Sequence, residues 1–280
     1  MRNIDIKLIV NAVKNACMDS NYYLGNDVKG EIIRSYEEET WEIARDSLNK
    51  IIKNIDISER EKVPLCQDTG MACVFVEIGQ EVHIVNGSIE DAINEGVRQG
   101  YKEGYLRKSV VRDPLNRINT GDNTPAVINY NIVSGDKLKI IVSPKGFGSE
   151  NMSQIKMLKP ADGVEGVKEF VLKTVREGGG NPCPPIVVGV GIGGTFDRVA
   201  YLAKKALLRP LSQRNKDRYY ADLESELLKE INDTGIGPQG FGGKTTALGV
   251  NIETYPTHIA GLPVAVNISC HVTRHVEVEI

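Results

Sequence analysis

Residues 185–192 read Pro-Ile-Val-Val-Gly-Val-Gly-Ile, a strand-length run without one polar side chain. Such a run does not alternate between wet and dry faces, so it is buried on both. A strand buried on both faces needs cover above and below it. The next residues, Gly193-Gly194-Thr195, lead into a helical pattern over 197–208. Strand then helix, with the strand fully covered, points to a mixed α/β (α+β) fold.

The remaining patterns agree with that class. Ile6, Ile9, Val10, Val13 and Cys17 fall on one helical face, and Trp41, Ala44, Leu48, Ile51, Ile52 and Ile55 on another. The chain therefore opens with about sixty helical residues and continues into mixed sheets packed with helices. Strands are predicted over 71–78, 81–85, 126–133, 137–142, 246–252 and 262–269. Ser134-Gly135-Asp136 reads as the turn of a hairpin joining 126–133 to 137–142. Further helices are predicted from Ser88, with Asp91 as its capping partner, to about residue 106, and over 163–176 and 219–231. No repeat and no linker-like segment divides the chain. A single domain over 1–280 is expected, within which residues 1–60 could form a helical lobe.

Composition excludes several functions. The net charge is −3 and no basic block occurs, so no nucleic-acid partner is expected. The longest apolar runs are far too short to span a bilayer, so no membrane association is expected. Met1-Arg2-Asn3-Ile4-Asp5 leads into an amphipathic segment and not into an apolar signal region, which predicts a cytoplasmic location. Five cysteines, an odd number, argue for thiol or metal chemistry over a disulfide framework.

Those cysteines divide into two kinds. Cys17 lies on a helix face and Cys73 inside a strand, and both read as small buried hydrophobes. Cys66, Cys183 and Cys270 sit among proline, glycine and short polar residues, in Pro64-Leu65-Cys66-Gln67-Asp68-Thr69-Gly70, Asn181-Pro182-Cys183-Pro184-Pro185 and Asn267-Ile268-Ser269-Cys270-His271. Cys183 precedes and Cys270 follows an apolar run, which places them at strand ends. Packing thiols, a zinc site and an iron–sulfur site all remain open on spacing alone. No histidine pair of zinc-finger spacing accompanies them, and they do not form the compact run of ferredoxins. Asp68 reads as a turn aspartate or an acid–base group beside Cys66. Arg107 reads as a helix C-terminal cation, with Arg112 and Arg117 as rivals for any anion-binding role. Asn119 to Pro125 reads as a hydrogen-bonded turn. Gly191-Ile192-Gly193-Gly194-Thr195 lacks Gly-Lys-Ser/Thr and reads as a tight strand-to-helix turn. His258, His271 and His275 read as surface or supporting residues.

Five local sequences occur in order: Cys66-Gln67-Asp68-Thr69-Gly70, Lys145-Gly146-Phe147-Gly148-Ser149-Glu150-Asn151, Cys183-Pro184-Pro185 with Gly191-Ile192-Gly193-Gly194-Thr195, Phe241-Gly242-Gly243-Lys244, and Ser269-Cys270. In these the chain resembles, from about Leu8 to Cys270, the α-type catalytic domain of the iron–sulfur hydro-lyases, class I fumarate hydratase and L-tartrate dehydratase. The resemblance implies a [4Fe–4S] cluster held by Cys66, Cys183 and Cys270, with one iron carrying no cysteine. It implies Asp68 as catalytic and Gln67, Arg107 and Gly148 as substrate-binding. Single-chain members continue into a β-type domain, whereas this chain ends ten residues after Cys270. An α subunit that pairs with a separate β-type subunit, in an α2β2 heterotetramer, is therefore expected. The expected reaction on a small dicarboxylate is reversible hydration of fumarate to malate, with tartrate dehydration as the alternative. A labile-cluster redox or iron sensor and a zinc-stabilised interaction module are the non-enzyme alternatives.

Overall fold

Asp5 starts the first helix. Its carboxylate accepts the Lys7 amide at 2.8 Å, closing strand β1 (Arg2–Asp5) and opening α1 (Ile6–Tyr22). The computed structural model describes all 280 residues and groups them into two compact units. The first holds Met1–Leu24, Ile55–Phe147 and Arg274–Ile280, and the second Gly25–Asn54 and Gly148–Thr273. The first sixty residues are thus shared between the units. Helix α3 (Glu42–Glu61) begins in the second and ends in the first. No helix is long and apolar enough to cross a membrane.

In the first unit, α1 buries Ile9, Val13, Ala16 and Cys17, the face its spacing predicts. It packs on α4 (Ile89–Glu103), which the Ser88 hydroxyl caps. The helices approach closely because α4 carries glycines four residues apart, on one face. A Cβ at Gly96 would lie 2.7 Å from the Val13 Cβ, and one at Gly100 2.8 Å from the Lys14 carbonyl oxygen. The sheet in this core runs in the order β10 (Val276–Glu279), β5 (Leu138–Lys145), β2 (Met71–Gly79), β4 (Val127–Val133). Ala72, Val74 and Val76 of β2, with Leu138, Ile140 and Val142 of β5, share one core with the two helices.

The expected hairpin is not formed. β2 lies between β4 and β5, parallel to one and antiparallel to the other. The Ser134-Gly135-Asp136 turn instead crosses the end of β2. Amides of Gly79, Gln80 and Glu81 donate to carbonyls of Lys137, Val133 and Gly135 at 2.9, 2.8 and 3.0 Å. A Cβ on Gly79 would sit 2.3 Å from the Gly135 oxygen, so the crossing needs glycine there. The reason is burial: β2 carries the unbroken run Ala72 to Val76, all of it buried, and takes the central place. Residues 81–85 also find a different neighbour. β3 (Val82–Val85) runs parallel to β1 in a separate two-stranded sheet.

The second unit has three layers. Its sheet runs β6 (Gln154–Leu158), β9 (Leu262–Ser269), β7 (Ile186–Gly193), β8 (Ala247–Tyr255). Strand β7 is the apolar run, buried as expected. Ile186, Val188 and Val190 face a core shared with α6 (Gly163–Gly178) and α8 (Arg218–Asn232). Burying each such side chain contributes roughly 1.5–3 kcal/mol. The other face meets α7 (Phe196–Ala206). There a Cβ on Gly189 would lie 2.2 Å from the Ala203 oxygen and one on Gly191 2.3 Å from the Val199 oxygen. The glycines of the run thus let a helix lie directly on the strand. Helix α2 (Asn26–Glu38) lies in the expected helical opening, although no apolar face marked it; it buries only Val28, Ile32 and Ser35.

Candidate functional site

The Cys66 loop enters β2 through a turn made by Asp68. Both carboxylate oxygens are engaged: Oδ1 accepts the Gly70 amide at 3.0 Å and Oδ2 the Phe147 amide at 2.9 Å. Gly146 makes the second bond possible, because a Cβ there would lie 3.2 Å from Oδ2. The Asp68 amide in turn donates to Cys66 Sγ at 3.4 Å. Cys66 Sγ itself donates to Gln67 Oε1 at 3.4 Å, so the sulfur is held between the Asp68 amide and the Gln67 side chain. Cys66 and Asp68 are half-buried and Gln67 is exposed.

Deeper groups hold this loop. Thr69 Oγ1 donates to the Arg107 carbonyl at 3.0 Å, so the loop and the Arg107 segment are joined. The Tyr101 hydroxyl donates to the carbonyls of Thr69 and Gly70 at 2.8 and 2.9 Å. Burial pushes that hydroxyl well above the usual tyrosine range, so it stays a donor. Buried Arg274 donates to the Asp68 carbonyl at 2.9 Å and to Asn21 Oδ1 at 3.1 Å. Arg107 does not end a helix, contrary to its plain reading. α4 stops at Glu103, and Tyr105, at φ 51°, turns the chain before the exposed Arg107.

The second unit holds Cys183, Cys270 and Gly148. Cys183 is exposed, stands just before β7, and has φ 56°. Cys270 follows the last residue of β9. Both placements match the strand ends read from sequence. His271 joins the two loops: its Nδ1 lies 2.9 Å from the Cys183 carbonyl. The same Nδ1 lies 3.3 Å from Gln239 Nε2, so Gln239, His271 and the Cys183 carbonyl form one cluster. Gln239 donates to the Pro184 carbonyl from its amide at 2.8 Å and from Nε2 at 2.6 Å. Gly148 is exposed, with nothing within 4 Å of the place a Cβ would occupy. Its segment is tied to β9 by Asn267 Nδ2 to Glu150 at 2.8 Å and by the Ile268 amide to Ser153 Oγ at 3.1 Å.

Two sequence motifs serve the scaffold. Phe241-Gly242-Gly243-Lys244 closes on buried Glu39, whose carboxylate accepts the amides of Thr40, Trp41 and Lys244 at 2.9, 2.9 and 2.7 Å. Gly191 to Thr195 is the strand-to-helix turn its plain reading describes. Sequence reasoning missed Arg274, Tyr101 and Gln239 and gave His271 no role. None lies in a pattern that marks it.

All five cysteines are thiols, and none forms a disulfide. Cys17 and Cys73 are buried, and Cys66, Cys183 and Cys270 are not. Soft sulfur donors in loops, one already accepting an amide N–H, suit an iron–sulfur group. Neither unit by itself gathers three His, Cys, Asp or Glu side chains that could hold one metal ion.

Residues 10–279 match the family described as Fumarate hydratase (Fumerase). The chain is 47% identical over 258 residues to a Methanocaldococcus jannaschii protein provisionally named L(+)-tartrate dehydratase subunit alpha, covering 90% of each. It is 34% identical over 237 residues to the L(+)-tartrate dehydratase subunit alpha of Escherichia coli K12, covering 81% of this chain and 78% of that one. The same figures hold for the protein of that name from Shigella sonnei.

Proposed function

The chain belongs to the fumarate hydratase family and is a hydro-lyase; from that premise we propose that it is the α subunit of a two-subunit L(+)-tartrate dehydratase. The observation that carries this reading is the match, over most of both chains, to relatives named as alpha subunits acting on tartrate. It reverses the ranking drawn from sequence, which put fumarate first. Hydration of fumarate to malate stays as the second reading, favoured by the family description.

The residue roles follow the resemblance, with support from local geometry. Cys66, Cys183 and Cys270 are the proposed ligands of a [4Fe–4S] cluster with one iron lacking a cysteine. When bound, that cluster supplies a Lewis acid for the departing hydroxyl. Arg107 grips a substrate carboxylate with two parallel N–H bonds, which suits its exposed position. Gln67 and the bare backbone at Gly148 contact the substrate. Asp68 exchanges a proton beside Cys66, and its two amide donors hold the carboxylate in place. A dicarboxylate needs cations at both ends. Arg107 supplies one, and the β-type subunit the rest, most simply as α2β2 in the cytoplasm.

The test is an anaerobic assay of the chain with its β-type subunit, after reconstitution with iron and sulfide, on L(+)-tartrate, malate and fumarate. The reading expects tartrate to be converted to oxaloacetate with the highest kcat/KM, and no turnover by the chain alone. Preference for malate and fumarate would promote the second reading. Turnover without a partner would overturn the two-subunit reading.

A further inference from the structure

The segment after Arg107 is a small hairpin built to present its tip. Val111 pairs with Asn119, and the Arg112 amide donates to the Ile118 carbonyl at 2.7 Å. Fully buried Asn123 anchors the base: its Oδ1 accepts the amides of Ser109 and Val110 at 2.7 and 3.3 Å, and its Nδ2 donates to the Gly70 carbonyl at 3.2 Å. Asp113 closes the tip, accepting the amides of Leu115 and Asn116 at 2.9 and 2.6 Å. A loop braced in this way has already lost most of the freedom that binding would otherwise cost.

The hairpin presents apolar side chains among cations. Leu115 is 91% exposed at the tip, and Ile118 is 54% exposed behind it. Lys108, Arg112 and Arg117 flank them, and none is in an ion pair with the chain's own carboxylates. The hairpin's own carboxylate, Asp113, is occupied by its turn. An apolar tip held rigidly among cations suits an apolar pocket with an acidic rim.

We propose that the hairpin of residues 108–120 is a docking element for the β-type subunit, seating Leu115 in an apolar socket rimmed by carboxylates. This rests on the two-subunit reading above. The hairpin rises from the strand of chain that bears Arg107, and Arg107 is joined to the Cys66 loop through Thr69. A partner that supplies the remaining cations of the site approaches this side. A second copy of this chain on the hairpin would show instead as self-association of the chain without the β-type subunit. Nucleic acid fits less well because the tip offers leucine where base stacking needs an aromatic ring.

The experiment measures the Kd between the full-length chain and the purified β-type subunit by titration calorimetry. Leu115→Asp is expected to weaken pairing about 30-fold or more, the size of a single interface anchor. Lys108→Glu with Arg117→Glu is expected to raise the Kd several-fold at low salt, with the difference shrinking as salt rises. These side chains are exposed, so unchanged circular dichroism and thermal midpoint show the fold intact. If wild type pairs and both variants pair within two-fold of it, the docking role is wrong and the two-subunit reading stands. If wild type does not pair, both fall. Variants that pair normally but lose binding to a DNA oligonucleotide or to anionic vesicles would assign the hairpin to a polyanion instead.

Discussion

Cys17 and Cys183 show how far burial separates two copies of one side chain. Burial pushes the Cys17 thiol up to about 12, which leaves almost no thiolate near neutrality. Cys183 stands exposed before β7. Iodoacetamide at about pH 8 should therefore label Cys183 in the native metal-stripped chain and spare Cys17 until urea is added. Peptide mass spectrometry reads the order, and equal labelling of Cys17 would contradict the buried assignment. Asp68 carries a sharper question, because its oxygens already accept the Gly70 and Phe147 amides. Asp68→Asn keeps the shape and one acceptor, so turnover of the assembled enzyme should fall about 10²- to 10⁴-fold. Its thermal midpoint should move less than that of Asp68→Ala, which strands both amides and costs about 1–3 kcal/mol. Turnover within a few-fold of wild type would leave Asp68 as a brace alone.

Among the elements, β7 and α7 meet through glycine, and the contact sets a direct test. Gly189→Ala or Gly191→Ala places a methyl against α7 backbone at 2.2 or 2.3 Å. The strand or helix must shift, at about 1–3 kcal/mol. Gly30, inside α2, has nothing within 4 Å of its Cβ position, so Gly30→Ala should instead stabilise by about 0.5–1 kcal/mol. Urea midpoints that moved the same way for both would refute the packing argument. The turn entering β4 adds a pH dependence. Burial raises the Asp122 carboxyl, but the Thr124 amide and hydroxyl and Arg98 outweigh it and hold it at about 2, below the usual 3.8. A depressed acid contributes stability that is complete above the unfolded value and is lost as pH falls through the folded one. The stability difference between wild type and Asp122→Asn should thus be flat near neutrality and shrink between about pH 4 and 2. A difference that grew on acidification would reverse the sign and refute it.

Across the whole molecule, each unit has its own sheet and its own core, and slow hydrogen exchange should report both. Amides of Val188, Val190, Val266 and Ile268 in one unit, and of Val74, Val76, Ile140 and Val142 in the other, are paired on central strands and buried. They should exchange last, and those of edge strand β4 sooner. Early exchange of β2 would mean its central position is wrong. The sequence by itself determined which segments bury and where the backbone breaks. The apolar run at β7, the α1 face and the three loop cysteines were all legible, because burial and proline–glycine punctuation are properties of neighbours along the chain. Strand order was not. Residues 126–133 and 137–142 looked like partners until β2, more apolar than either, took the place between them. Nor were the groups that hold the cysteine loops. Gln239 reaches Pro184 across 55 residues, His271 reaches Cys183 across 88, and Arg274 reaches Asp68 across 206. A hydrogen bond closed over such a span leaves no periodicity at either end, so only the tertiary structure could assign these residues their work.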